Sequence, residues 1–517
     1  MYSCVTAGAV HGMNSYLMKV ETDISGGLPV FHMVGIPGTE VREAVERVRV
    51  SLRNCGYTLP ASRITVNFTP ADIPKRNVVL DLPVACGILI CIGVIRQESL
   101  DGVLVAGELG LNGEIRPVGG ILPVVMEAAA RKMKRCVIPK ENLTEGGAAD
   151  GISVTGVSAL KEFIDYINTP DEKRDERIKP GKTDLAYMVS GHGSGEAFTH
   201  DFSMVRGQKA AKRVLEIAAA GLHNTLLVGT PGSGKSMLAE CVPEILPPMT
   251  KAEALEVSAV YSVAGRLCAD QKLITKRPIA KPHSSITMPA LLGGGSPVRP
   301  GEISLAHRGV LFMDEFPHFG SEKINAMRIP VEEGQIRITR SSGSFVFPSR
   351  FMLIAASNPC PCGYYPDMSK CRCTPYEISR YFSSVSGPVT DRMDLCVRME
   401  PVKYDEISSP GLPGESSAVR SRVRAAWMIQ QERFRDREGM MNSDMQPADL
   451  DRYCRVDKEC GQFARELFDR TDLTVRGYHR ILRCARTIAD LAGKEEIGIE
   501  HLAEAASYRM DRQMGFR

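Results

Sequence analysis

The eight residues Gly229, Thr230, Pro231, Gly232, Ser233, Gly234, Lys235 and Ser236 constrain this chain more than any other stretch. They follow the apolar run Leu226 to Val228 and precede a helix-compatible segment, Lys235 to Cys241. A strand, a glycine-rich turn and a helix in that order fit the phosphate-binding loop G-x-x-x-x-G-K-[ST]. The glycines let successive backbone N–H groups turn toward a phosphate chain, Lys235 brings a point charge to the β and γ phosphates, and Ser236 offers its hydroxyl to Mg²⁺. ATP and Mg²⁺ are the cofactors this pattern predicts.

Two further strand ends suit the same site. Gly309 to Met313 is an apolar run ending in Asp314 and Glu315, a Walker B pattern 79 positions after Lys235. Asp314 would hold Mg²⁺ through water, and Glu315 would polarise the attacking water. Phe351 to Ser357 ends in Asn358, whose amide can orient the same water without competing for its proton. The plain alternative for Asn358 is a turn or cap residue before Pro359. Parallel strands would bring all three ends to one edge of a sheet.

At 517 residues there is room for about three domains. A formal charge of +3 does not announce nucleic acid, so any basic surface must be local. No uninterrupted apolar stretch reaches the ~18 residues that span a bilayer, and the start, Met1 to Ala7, lacks the layout of a secretion signal. A cytoplasmic protein without a membrane partner is expected. Fifteen cysteines without scaffold spacing suit a reducing compartment.

Two composition breaks divide the chain. Residues 168–197, charged and then glycine-rich, read as a linker, as do the Ser-, Pro- and Gly-rich residues 403–418. Residues 1–167 alternate short β-rich runs, such as Arg63 to Phe68, with helical ones, such as Glu40 to Cys55, which predicts a mixed α/β domain. Residues 198–402 carry the α/β nucleotide core. Residues 419–517 show helical spacing over Val419 to Arg437, Tyr453 to Asp469 and Tyr478 to Leu491.

Cys360, Cys362, Cys371 and Cys373 fall within fourteen residues. Two C-x-C pairs could supply four thiolates to a tetrahedral, structural Zn²⁺; a disulfide and unmetallated thiols are the alternatives.

The three strand ends resemble the AAA+ ATPases. Asp201 to Arg213, with Gly207 and Gln208, looks like their adenine-contacting entrance. Gly387 to Leu395, containing Asp391 and Arg392, resembles the arginine-finger motif of the magnesium-chelatase-like branch, and Leu473 to Ile481 its sensor 2 helix, with Arg476 as the functional residue and Arg480 the competitor. An extra segment, Leu273 to Gly301, has a basic cast from Lys276, Arg277, Lys281, His283 and Arg299. A second, Gln335 to Phe347, alternates as a hairpin. Both resemble the insertions of the helix-2-insert branch, which project toward a ring channel, where Arg337 and Arg340 would meet DNA phosphates. An ordinary charged hairpin face is the other reading.

The first domain resembles Lon-type proteases, a ribosomal S5 domain 2-like fold, over Pro74 to Cys86 and Gly113 to Asn142. Val84 stands where the nucleophilic serine would be and Val124 where the lysine would be. An isopropyl group can neither attack a carbonyl nor take a proton, so no protease activity is expected. The whole arrangement, with a helical C-terminal lid, resembles the YifB/ComM family of magnesium-chelatase-like proteins. The chain departs from it in having Val389 and Thr390 before Asp391, and Ser236 where Thr is common. The resemblance implies an ATP-hydrolysing homo-oligomer, a hexameric ring on single-stranded or branched DNA, acting as a branch-migration helicase in recombination or transformation. A magnesium-chelatase-type motor subunit, an ATP-dependent protease and a non-hydrolysing scaffold are the alternatives.

Overall fold

The structure, a computed structural model, describes residues 1–35, 39–70, 80–190, 199–267, 273–341, 343–385, 392–402, 404, 406, 414–437, 439–470 and 473–509. Alternating inward and outward residues fold β1 (Tyr2–His11) and β2 (Asn14–Ser25) into an antiparallel hairpin, with His11 opposite Asn14. Gly12, at φ +66°, supplies the left-handed turn. There follow β3 (Phe31–Val34), β4 (Arg63–Thr69), β5 (Val103–Val105), a two-stranded ladder of β6 (Glu108–Leu109) and β7 (Ile115–Arg116), then β8 (Arg135–Pro139) and β9 (Ser153–Val157). All but the ladder form one mixed sheet, in the order β3-β4-β2-β1-β5-β8-β9.

That sheet has a core on each face. Val103 and Val105 join the helices Asp81–Cys91 and Leu160–Asn168 on one side, while Leu104 joins the helix Ile121–Ala130 on the other. Val84 is fully buried in the first cluster and Val124 lies in the second, against Gly8 of β1. The sheet stands between the two positions, so neither a polar group nor a shared site connects them.

The second sheet is wholly parallel. It is built from β10 (Thr225–Gly229), β11 (Ile279–Ala280), β14 (Val310–Met313), β17 (Met352–Ser357) and β18 (Leu395–Met399), in the order β11-β14-β17-β10-β18. Its strands are near-continuous apolar runs because both faces are covered. Two antiparallel pairs are inserted, β12 (Gly293–Gly294) with β13 (Arg299–Pro300), and β15 (Gln335–Arg340) with β16 (Gly343–Pro348). Arg277, read from sequence as part of a basic surface, is instead buried. Its guanidinium donates to Pro247 O at 2.6 Å and Arg308 O at 2.7 Å, pairs with Glu253, and lies over the Trp427 ring.

Most described residues of the segment read as a linker are exposed, with Arg174 and Leu185 as the buried exceptions. Arg174 is buried, donating to the carbonyls of Thr169, Ile167 and Ser99, and Arg135 pairs with Asp175. Residues 191–197, and 403, 405 and 407–413 of the second break, lie outside the described residues. The two α/β bodies touch directly. Gly120 N donates to Ser262 O at 3.1 Å, Glu145 takes the Ser262 hydroxyl, and the His11 ring stacks on Phe345 of β16 at 4.2 Å.

The C-terminal residues are helical at Glu415–Arg433, Pro447–Tyr453, Lys458–Arg470, Val475–Leu491 and Ile499–Ser507. They share one apolar cluster with the helix Lys209–Gly221. Trp427 Nε1 donates to Ala219 O at 2.9 Å and Gln430 Nε2 to Ala220 O at 2.8 Å. Among the described residues no helix is long and apolar enough to cross a membrane. Trp427→Ala should therefore loosen the helical region from the nucleotide core, at about 3–5 kcal/mol. The expected readout is a lower urea midpoint by far-UV circular dichroism; an unchanged midpoint would show that this contact does not hold the helices down.

Candidate active site

Every residue of β10 is buried, so the chain must turn where it leaves the sheet at Gly229. A Cβ on Gly229 would stand 2.7 Å from Ser233 Oγ and 2.9 Å from Met399 Cβ, which excludes any larger residue. Gly232 and Gly234, at φ +78° and +91°, supply the left-handed steps that lead into the helix Lys235–Ile245. The sequence-predicted strand, loop and helix are all present.

Lys235 is 8% exposed, and its ammonium donates to Gly229 O at 2.7 Å, Thr230 O at 3.0 Å and Asn358 Oδ1 at 3.1 Å. Burial pushes its pKa below the usual lysine value, against the pull of Asp314 and Glu315. Ser236 Oγ donates to Asp314 Oδ2 at 2.7 Å, while Asp314 Oδ1 accepts from Glu315 N at 2.9 Å. The parallel register sets Val228 beside Ser357 and Met313 beside Ala355, so Gly229, Asp314 and Asn358 leave the sheet at one edge. Glu315 sits at φ +49°, a region that long side chains seldom occupy unless their surroundings hold them there. At the rim, Gln208 Nε2 reaches Ser233 O and Glu400 O, tying the predicted entrance segment to the loop.

Arg392 does not join this group. The strand that follows it, β18, begins opposite Thr225, the first residue of β10, and Asn224 Nδ2 donates to Arg392 O at 3.4 Å. Arg392 thus stands at the amino edge of the sheet, with the length of β10, about 13 Å at ~3.3 Å per residue, between it and the loop. There it pairs with Glu332. Burial, then the charges of Arg328, Arg476 and Arg480, lower its pKa, and Arg480 donates to Met393 O at 3.0 Å. Arg392, Arg476 and Arg480 are therefore neighbours of each other and not of Lys235. Asp391 lies outside the described residues.

Arg337 and Arg340 are both exposed on β15, but they are three residues apart and point to opposite faces of the ribbon. Arg337 lies opposite Val346, and Arg340 opposite Gly343 at the turn. The fold does not bring the two together.

The sulfur atoms of Cys360, Cys362, Cys371 and Cys373 lie within 4.8 Å of one another. Cys360 is 3.3 Å from Cys362 and 3.8 Å from Cys371, and Cys362 is 3.6 Å from Cys371. A tetrahedron with Zn–S arms of ~2.3 Å has edges of about 3.8 Å, so the donor set fits such an ion. The loop also abuts the phosphate loop: Gly363, at φ +84°, is close enough that a Cβ would meet Pro231 Cδ at 2.7 Å.

Two residues without a sequence signal complete the picture. His318 Nδ1 is 3.3 Å from Glu315 Oε2, and its ring meets that of Tyr381 edge-on. No motif contains either; the contact exists because a single turn of helix folds His318 back on Glu315.

Comparison with known proteins identifies the relatives of this chain. Residues 201–407 match the family described as magnesium chelatase, subunit ChlI; residues 20–142 match subunit ChlI of Mg-chelatase, and residues 414–509 its C-terminal part. The competence protein ComM of Haemophilus influenzae is 38% identical over 98% of this chain and 97% of its own length. The protein YifB of Escherichia coli is likewise 38% identical over 98% of the chain and 97% of its length. Lon protease 2 of Bacillus subtilis is 28% identical over 34% of the chain and 35% of its own length. Full-length similarity to ComM and YifB, joined to a phosphate loop whose lysine, serine and Walker B carboxylates converge, means that the chain belongs to the YifB/ComM family of magnesium-chelatase-like AAA+ ATPases.

Proposed function

We propose that this protein is a ring-forming motor, most simply a hexamer, that hydrolyses ATP to move single-stranded or branched DNA, as a branch-migration helicase in homologous recombination or natural transformation. Lys235 and the backbone of residues 229–234 hold the phosphates, and Ser236 and Asp314 hold Mg²⁺. Glu315 polarises water that Asn358 orients. The observation that carries the ring is the position of Arg392 at the sheet edge opposite its own phosphate loop, beside Arg476 and Arg480. A cation there can neutralise charge on a transferring phosphoryl group only in a neighbouring subunit. The relative named as a competence protein and the exposed Arg337 and Arg340 support DNA as the cargo.

Because the two arginines face opposite ways, each would meet a different part of the backbone. A magnesium-chelatase-type motor remodelling a protein partner is the second reading, favoured by the family descriptions. Val84 and Val124, buried on opposite faces of the first sheet, weigh against proteolysis.

Steady-state ATPase with and without single-stranded and branched DNA decides between the two. DNA should stimulate turnover, and the stimulation should fall steeply between about 50 and 200 mM salt, with Lys235→Ala as the inactive background. Strong turnover indifferent to DNA would favour the chelatase-like motor. Arg392→Ala and Glu315→Gln subunits, each inactive alone, should recover part of the activity when mixed, since half of the mixed interfaces pair an intact finger with an intact Glu315. No recovery at any ratio would remove Arg392 as a finger acting across subunits.

The cysteine cluster is proposed to hold one structural Zn²⁺, closing the loop between Asn358 and the helix Pro375–Val385. Four protein thiolates would leave no open coordination position. Metal analysis of purified protein should give about one zinc per chain, and Cys371→Ser should abolish it. A content well below one would end the assignment.

A further inference from the structure

Glu315 is followed by a single turn of 3-10 helix, Phe316–Phe319, in which Phe316, Pro317 and Phe319 are buried while His318 is left at the surface. His318 N donates to Glu315 O at 2.8 Å, closing the turn, so the imidazole stands over the carboxylate by construction of the backbone. Its Nδ1 lies 3.3 Å from Glu315 Oε2. Among the described residues no other side chain hydrogen-bonds that carboxylate, which is 58% exposed. On its other side the imidazole meets the Tyr381 ring at 6.4 Å and 73°. Tyr381 belongs to the helix Pro375–Val385, and its phenol interacts with the Ser357 side chain and the Asn358 backbone.

We propose that His318 is the positioning residue for Glu315, held in turn by Tyr381 against the end of β17. The inference rests on reading Glu315 as the group that polarises the attacking water. A long, exposed carboxylate samples several rotamers, and only those within hydrogen-bond reach of the water can assist attack. The His318 bond engages Oε2 alone and leaves Oε1 for the water. The chain Glu315, His318, Tyr381, Asn358 then links the Walker B carboxylate to the backbone of the residue whose amide would orient the same water. His318 itself touches neither nucleotide nor water.

Three variants of the full-length protein test this, with ATPase kinetics and binding of a fluorescent ATP analogue measured on each. His318→Ala should lower kcat by about five- to tenfold while leaving KM for ATP and analogue binding within about twofold, the mark of an interaction that acts on turnover alone. His318→Gln, whose amide can still donate to Oε2, should recover most of the loss. Unchanged kcat in His318→Ala, parallel changes in kcat and analogue binding, or a glutamine variant no better than alanine would each overturn the proposal. Glu315→Gln is read separately. If it hydrolyses ATP normally, the role of Glu315 fails and the inference with it; if it is inactive while His318→Ala is not, only the positioning role fails.

Discussion

The buried ammonium of Lys235 is the contact around which the nucleotide core is arranged. An unpartnered ammonium at that depth would cost several kcal/mol, and its three acceptors sit at the carboxyl ends of two parallel strands, β10 and β17, that must be in register to supply them. All three acceptors are neutral. A carboxylate partner would hold the ammonium more strongly and would compete with a phosphate for it, whereas two carbonyls and an amide can yield to the stronger charge-assisted bond. Asp314 and Glu315 raise the lysine's proton affinity from nearby, yet Asp314 takes its hydrogen bonds from Ser236 and the Glu315 backbone. Binding a nucleotide therefore means exchanging partners at Lys235, among them the amide of Asn358, itself the candidate for orienting water.

The first domain, a mixed α/β body, is held together for a different physical reason. Its sheet is stabilised by apolar clusters on both faces, and a valine packs at positions 84 and 124 without an unpaired polar atom. What the domain retains is a polar and aromatic seam with the nucleotide core, from Glu145 and Ser262 to the His11–Phe345 stack. Gly343, at φ +131°, brings the hairpin backbone close to His11: a Cβ there would stand 3.1 Å from the ring. The hairpin bearing Arg337 and Arg340 is thus seated against the first domain near its tip.

Much of this was legible in the sequence, and what escaped shares a cause. The strands around the phosphate loop are contiguous apolar runs ended by glycine, carboxylate or amide, patterns local enough to read directly. The isopropyl groups of Val84 and Val124 are enough to exclude a dyad, but their placement on opposite sides of a sheet depends on long-range strand order that no local pattern carries. Arg277, in a segment of basic cast, and Arg174, in a charged linker, are buried because backbone carbonyls surround each guanidinium, which composition cannot show. The period of two in β15 already implied that Arg337 and Arg340 diverge. His318 had no motif to announce it, because its role follows from a backbone turn and from Tyr381, 63 positions away in sequence.

The cysteine loop shows how these parts are mechanically connected. It begins two residues after Asn358, rests Gly363 on Pro231 of the phosphate loop, and ends where the helix carrying Tyr381 starts. A fourteen-residue loop with few apolar side chains pays closure entropy that packing alone does not return, and a cross-link between its ends removes most of that freedom. Were the four thiolates gathered on one ion, as proposed, the loop would tie Asn358 and the start of the Tyr381 helix to its contact with Pro231.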